Sequence, residues 1–190
     1  MKFESIDDLC QALVAELEQD PKGKGVAALL GAYANSCDDW HDFVTFDANC
    51  YTRNLIHRCG AYEMLLLGWE AGSESPIHNH AGQSCWMAVL DGDIEEVHFR
   101  QEGENEPMAE GRTTGLGRGE VAFIQDEIAL HLIRPRAGRG ISLHLYAQPI
   151  DECKIYDRMT GAESLVQVGY HTVRGEKCTE SAGAIRAQYQ

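Results

Sequence analysis

The feature that most limits what this chain can fold into is a change of texture near residue 50. Beyond it, short segments rich in branched and aromatic side chains alternate with Gly, Asp and Asn. They cover residues 62–69, 84–90, 94–100, 121–125, 130–134 and 141–146. Many short strands at this spacing predict a mainly β sandwich or barrel. Asp91-Gly92 falls between two of these runs and predicts a hairpin turn. Residues 101–119 are polar and Gly-rich, so a long surface loop or an irregular hairpin is expected there.

The first forty residues follow another period. Ile6, Leu9, Leu13 and Leu17 recur at helical spacing, and Ser5 with Asp8 resembles a capping box. Pro21 and the glycines after it break that helix. Val26, Leu29, Leu30 and Tyr33 predict a second helix, and Trp40 a short third turn. No internal repeat or linker divides the chain. The expectation is a single domain over 1–190: a helical segment over 1–42, a barrel over 45–170 and a C-terminal tail over 171–190. The last residues carry little pattern and are expected to be partly disordered.

Composition narrows the partners. Thirty acidic residues against 16 basic give a net charge of −14. Such a surface repels phosphate backbones and anionic bilayers, so neither nucleic acid nor membrane is expected. No apolar run reaches the length that spans a bilayer, and the start lacks the pattern of a secretory signal. Seven cysteines, an odd number without CxxC pairs, predict free thiols in a reducing cytoplasm. Cys10, Cys37, Cys50, Cys59 and Cys178 read as ordinary thiols.

His78 and His80, in Pro76-Ile77-His78-Asn79-His80, stand two apart in a segment able to be extended. Residues two apart on a strand share a face, so both imidazoles can converge on one ion. Such pairs also arise by chance, but the β context and the flanking Gly72 and Gly92 favour a metal. A glycine-framed HxH is similar to the first signature of cupins. Cupins usually carry a carboxylate ligand about five residues further on, where this chain has Cys85. Iron sites commonly use two His and one carboxylate, so a third ligand must come from elsewhere. His131, on the apolar run 128–133, is the best candidate. Alone it would read as a core histidine.

Two further sets stay open by pattern. Ser142, His144 and Tyr146 alternate with Ile141, Leu143 and Leu145 and so share one strand face. Pattern alone favours a half-exposed strand with that face in water; the alternative is a hydrogen-bond relay in which His144 bridges Ser142 and Tyr146. Arg53 follows Tyr51-Thr52. In so acidic a chain it defaults to a surface ion pair, but on a barrel wall it could clamp a carboxylate.

Taken together, the residues resemble the cysteine dioxygenase family, thiol dioxygenases of the cupin superfamily. The resemblance rests on Tyr51-Thr52-Arg53-Asn54-Leu55, the His78/His80 run, Cys85, Leu130-His131, 142–146, Cys153 and Asp157-Arg158-Met159-Thr160-Gly161. They come in the family's order over roughly residues 45–165. It implies a cupin (jelly-roll β-barrel) with N-terminal α-helices. It implies Fe(II) held by His78, His80 and His131, with O2 as co-substrate. Arg53, aided by Tyr51, would bind the carboxylate of a thiol substrate, L-cysteine first. Tyr146, oriented by His144 and Ser142, would hydrogen-bond near the sulfur or oxygen. Leu67 and Trp69 would line the pocket. Cys85 and Tyr146 correspond to the pair cross-linked by a thioether in animal members, whereas many bacterial members carry Gly at the Cys85 position. Ala147-Gln148-Pro149 replaces a common Ser-Pro-Pro, so the cis peptide found there is not implied. Val168 stands where a larger residue is frequent, implying a wider pocket. The expected function is oxidation of L-cysteine to cysteine sulfinic acid by a monomeric enzyme. The alternatives are a dioxygenase of mercaptosuccinate or 3-mercaptopropionate, or a non-catalytic metal-binding cupin.

Overall fold

A computed structural model describes residues 2–103 and 106–178 of the chain. Helix α1 (Ile6–Gln19) opens on the expected capping box: Ser5 Oγ accepts the Asp8 N–H, and the Asp8 carboxylate accepts that of Ser5. Its buried stripe is Ile6, Leu9, Cys10, Leu13 and Leu17. Helix α2 (Val26–Ser36) and a short 3-10 turn (Asp39–Asp42) that buries Trp40 follow as the pattern predicts.

The rest is sheet. The strands are β1 (Thr52–Arg58), β2 (Tyr62–Trp69), β3 (Ile77–His78), β4 (Cys85–Asp91), β5 (Ile94–Arg100), β6 (Ala109–Leu116) and β7 (Val121–Ile124). Then come β8 (Leu130–Pro135), β9 (Gly140–Ala147), β10 (Glu152–Tyr156), β11 (Glu163–Gln167), β12 (Thr172–Val173) and β13 (Glu176–Lys177). They form a seven-stranded sheet ordered β13-β12-β1-β2-β9-β4-β7 and a six-stranded sheet ordered β11-β10-β3-β8-β5-β6. The fold is mainly β, two sheets forming a barrel, with two helices at its N-terminal end.

The period of two decides what each strand gives to the barrel. Along β2, Met64 and Leu66 pack outward against α1 and α2, while Leu65, Leu67 and Trp69 point inward. Along β9, Leu143 and Leu145 join the helical layer, and Ser142, His144 and Tyr146 face the interior. Both faces of this sheet are therefore covered, and the half-exposed reading of residues 141–146 does not hold. Each inward or outward Leu contributes roughly 1.5–3 kcal/mol of burial. Between β4 and β5, Gly92 takes φ +76° and its Cα lies against the Arg139 carbonyl, where a Cβ would meet oxygen at 2.4 Å.

Of the two readings of 101–119 the irregular hairpin holds, and the extent of the sheet at the C-terminal end differs from expectation. Within 101–119, β6 pairs with β5 in an irregular hairpin whose register slips between Val97 and Phe99. This edge strand is mostly exposed and polar, so it carries no alternation to read. The boundary expected at 171 is also displaced. β12 adds parallel to β1, with Asn54 opposite Thr172, and so extends the sheet past the predicted tail. Residues 179–190, expected to be partly disordered, lie outside the described residues. Among the described residues no peptide is cis, and no helix is long and apolar enough to cross a membrane.

Candidate metal centre and substrate cavity

The barrel's six-stranded wall brings three histidines together. His78 on β3 sits directly opposite His131 on β8. Their Nε2 atoms approach to 3.2 Å. His78 Nδ1 donates to the Pro76 carbonyl at 3.0 Å, and His131 Nδ1 to Glu96 Oε1 at 2.8 Å. Each Nδ1 thus carries the proton, and two Nε2 lone pairs face each other across a short gap. That is repulsive unless a cation lies between them. His80 follows the end of β3 rather than lying in it, yet its ring centroid is 4.7 Å from that of His131. Both its ring nitrogens are buried without a hydrogen bond. One ligand nitrogen from each of the three lies within 4.8 Å of the others. The donor set fits a divalent metal.

Burial favours the neutral, coordinating form of His78 and His131. It lowers the His78 pKa to about 3, aided by charge repulsion from His80. It also holds His131 well below the usual histidine range, with His78 and His80 adding to the effect. Asp126, in the turn before β8, fixes the second ligand's backbone. Its carboxylate accepts the N–H of His80 at 2.6 Å and of Gly82 at 2.7 Å.

The seven-stranded wall supplies the other side. Trp69 Nε1 donates to Ser142 Oγ at 2.9 Å, leaving the hydroxyl proton for Nε2 of His144, also at 2.9 Å. Half of the anticipated relay is therefore present. Between His144 and Tyr146 the rings stack with centroids 6.2 Å apart, and no hydrogen bond joins them. Tyr51 stacks on Trp69 at 4.9 Å. Tyr146 lies opposite Cys85 in the β4–β9 ladder. Burial pushes the Tyr146 phenol up, with Cys85 adding to it, and likewise pushes the Cys85 thiol up.

Arg53 is buried, not a surface residue as composition alone would have it. Its Nε donates to the Gly169 carbonyl at 3.1 Å, and one terminal nitrogen lies 3.5 Å from Glu63 Oε1. Glu63 is wholly buried, and its other oxygen accepts from Arg58 at 3.0 Å and Tyr170 at 2.9 Å. The remaining guanidinium donors are open. Arg53 and both histidines of the pair line one cavity of about 540 Å³, counting its open mouth. Tyr51, Leu67, Trp69, His144 and Tyr146 line it too, joined by Cys153 and Val168. Tyr146 links the two halves: its ring centroid is 6.0 Å from Arg53 Cζ and 6.1 Å from the His80 ring.

Known proteins converge on the same reading. The model of the family "Cysteine dioxygenase type I" matches residues 5–159. The chain belongs to the cysteine dioxygenase type I family. Among relatives, cysteine dioxygenase type 1 of Rattus norvegicus is 32% identical over 155 residues, covering 79% of this chain and 77% of that protein. The Danio rerio protein of the same name is 29% identical over 184 residues, covering 93% and 91%. The Homo sapiens protein is 30% identical over 154 residues, covering 79% and 77%. Within this cysteine dioxygenase family chain, the residues singled out by sequence meet around one cavity, with Ser142 behind His144 and Cys85 beside Tyr146. Sequence reasoning missed Glu63, Glu96 and Asp126. An acidic residue at an otherwise inward position of a strand, such as Glu63 within 62–69, was the available signal.

Proposed function

We propose that this chain is an Fe(II)-dependent dioxygenase that oxidises L-cysteine with O2 to cysteine sulfinic acid. The observation that carries the reading is one buried guanidinium that shares a cavity with His78 and His80, which cluster with His131 as a set of potential metal ligands. Arg53 binds the substrate carboxylate through charge-assisted hydrogen bonds, with Tyr51 beside it. Holding the carboxylate there directs the thiol toward His78, His80 and His131, which removes much of the entropic barrier. Fe(II), which His78, His80 and His131 would hold, would supply the electron-transfer chemistry that a thiol and O2 lack between them. Both oxygen atoms end on sulfur, and the thiol proton leaves. The Tyr146 hydroxyl stays protonated and donates a hydrogen bond near the reacting atoms. Ser142 and His144 stiffen the wall beneath it, and Leu67 and Trp69 exclude water.

Cys85 and Tyr146, cross-strand neighbours, form a thioether in part of the population, with O2 as the oxidant. Intact mass should then show a species lacking two hydrogens; a single unmodified mass after turnover would exclude it. Cys10, Cys37, Cys59, Cys85, Cys153 and Cys178 are free thiols in this structure, which fits the reducing cytoplasm. We read the enzyme as a monomer, to be checked by gel filtration.

Among the described residues the cavity lining contains one arginine or lysine, Arg53. A second carboxylate, as in mercaptosuccinate, would find no second cationic partner there. This favours cysteine over the dicarboxylic thiol. The deciding experiment measures O2 uptake and product with iron-loaded protein and cysteine, mercaptosuccinate and 3-mercaptopropionate side by side. One O2 consumed per cysteine sulfinate formed is expected. Faster turnover of another thiol would transfer the assignment to it, and no uptake with any thiol would leave a metal-binding cupin.

A further inference from the structure

Three imidazoles bring no charge to a metal, so a divalent ion held by them keeps its full +2 unless groups behind the ligands offset it. Two carboxylates stand there. Glu96 occupies an inward position on β5, where Ile94 precedes it on the same face. It is 4% exposed. One oxygen accepts from His131 Nδ1 at 2.8 Å, and the other lies 3.4 Å from His98 Nε2. Asp126 sits behind His80, its Oδ1 accepting the backbone N–H and lying 3.5 Å from Nδ1. An interior carboxylate is costly to bury unless a charge repays it. Arg134, on the neighbouring strand β8, is engaged on the outer face with Glu95 instead, and Arg112 reaches Glu96 only through its charge.

We propose that Glu96, seconded by Asp126, is a positioning residue that sets the affinity and electronic environment of the metal centre. It holds His131 in the tautomer that presents Nε2. It also returns, from behind the ligands, the negative charge that a ligand carboxylate supplies in two-histidine sites. The inference rests on the metal-centre reading and not on the oxidation of any particular thiol.

Co(II) is the probe, titrated anaerobically into chelator-stripped protein with no thiol or O2 present, and followed by its visible absorption bands. Wild type should bind one equivalent. Glu96→Gln keeps an acceptor for Nδ1 but loses the charge, and should weaken binding about 10-fold; Glu96→Leu loses both and should weaken it about 100-fold. The band positions should shift in both variants, which a merely structural residue would not cause. Asp126→Asn should weaken binding less than Glu96→Gln. Glu95→Gln, one residue along and on the other face, should bind as wild type. Circular dichroism checks that each stripped variant is folded; if Glu96→Leu is not, Glu96→Gln carries the test. Glu96→Gln binding within twofold of wild type, with unshifted bands, overturns the proposal. Absence of Co(II) binding by wild type would instead sink the metal centre itself.

Discussion

The cavity's two walls handle buried polarity in opposite ways. On the six-stranded wall, the groups that face the cavity are imidazoles and the acids, Glu96 and Asp126, lie behind the histidine cluster. On the seven-stranded wall, the group that faces the cavity is itself charged, and its counter-ion Glu63 lies behind. The first wall is built to receive a cation and the second an anion. A small molecule bearing a carboxylate at one end and a metal-binding group at the other satisfies both. The difference teaches that recognition here depends on which polar group has been left unpaired, not on how many are present.

The contrast breaks most completely at His80. Both its ring nitrogens are buried without a hydrogen bond, with Asp126 3.5 Å from Nδ1. Replacing it with Ala should reduce bound iron to below about a tenth of an equivalent and abolish O2 uptake, as read by elemental analysis and an oxygen electrode. Stoichiometric iron in that variant would remove the histidine cluster from the chemistry. Arg53→Ala attacks the other wall. Hydrogen bonds to a charged group contribute about 1.5–3 kcal/mol, so KM for cysteine should rise about 10–150-fold. Bound iron should be unchanged, and cysteamine, which lacks the carboxylate, should show no such rise. Equal shifts for the two thiols would mean that Arg53 does not read the carboxylate.

Glu63→Gln sharpens the comparison without touching either ligand group. Arg53 and Arg58 both lean on this carboxylate. Removing one partner of a buried pair costs about 3–5 kcal/mol, because the remaining charge is left uncompensated. Urea unfolding of wild type and variant, both stripped of metal, measures the loss. A change below about 1 kcal/mol would show Arg53 to be satisfied by Gly169 and solvent alone.

The walls also differ in how far they could be read from sequence. His78/His80 and Ser142/His144/Tyr146 were legible because a spacing of two places residues on one strand face. The α1 cap and the apolar runs of the barrel were legible for similarly local reasons. The supporting acids were not. Glu96 meets His131 across 35 positions, and Glu63 meets Tyr170 across 107. Glu63 alone carried a local signal, its place among the inward residues of 62–69; nothing within a few residues distinguishes Glu96 or Asp126 from the many solvated acids of a chain with 30. Strand β6 lacks an apolar face, and β12 is a two-residue parallel pairing recruited from a distance. Local period finds what faces the cavity; what stands behind it is set by the fold.

The smallest expected effect tests the neutrality that both walls share. His131 on one wall and His144 on the other are held well below the usual histidine range, chiefly by burial. The unfolded chain takes up protons near pH 6.5. Their folded values lie lower, so as pH falls the unfolded state binds protons first. Stability is therefore whole above about pH 6.5 and lost below it, by about 1.4 kcal/mol per pH unit for each such histidine. Burial raises the carboxyls of Glu63 and Glu96, so these bind protons first in the folded state and offset part of the loss as acidity increases. The clean window is pH 7 to about 5.5. Stripped protein should lose stability across it in urea titrations, and His144→Gln should flatten the slope by one histidine's share. An unchanged slope in that variant would mean that His144 takes up its proton as readily in the native barrel as in the unfolded chain. Below about pH 6.5 the seven-stranded wall would then present two cations to the cavity rather than one, and its preference for a single carboxylate would lose its basis there.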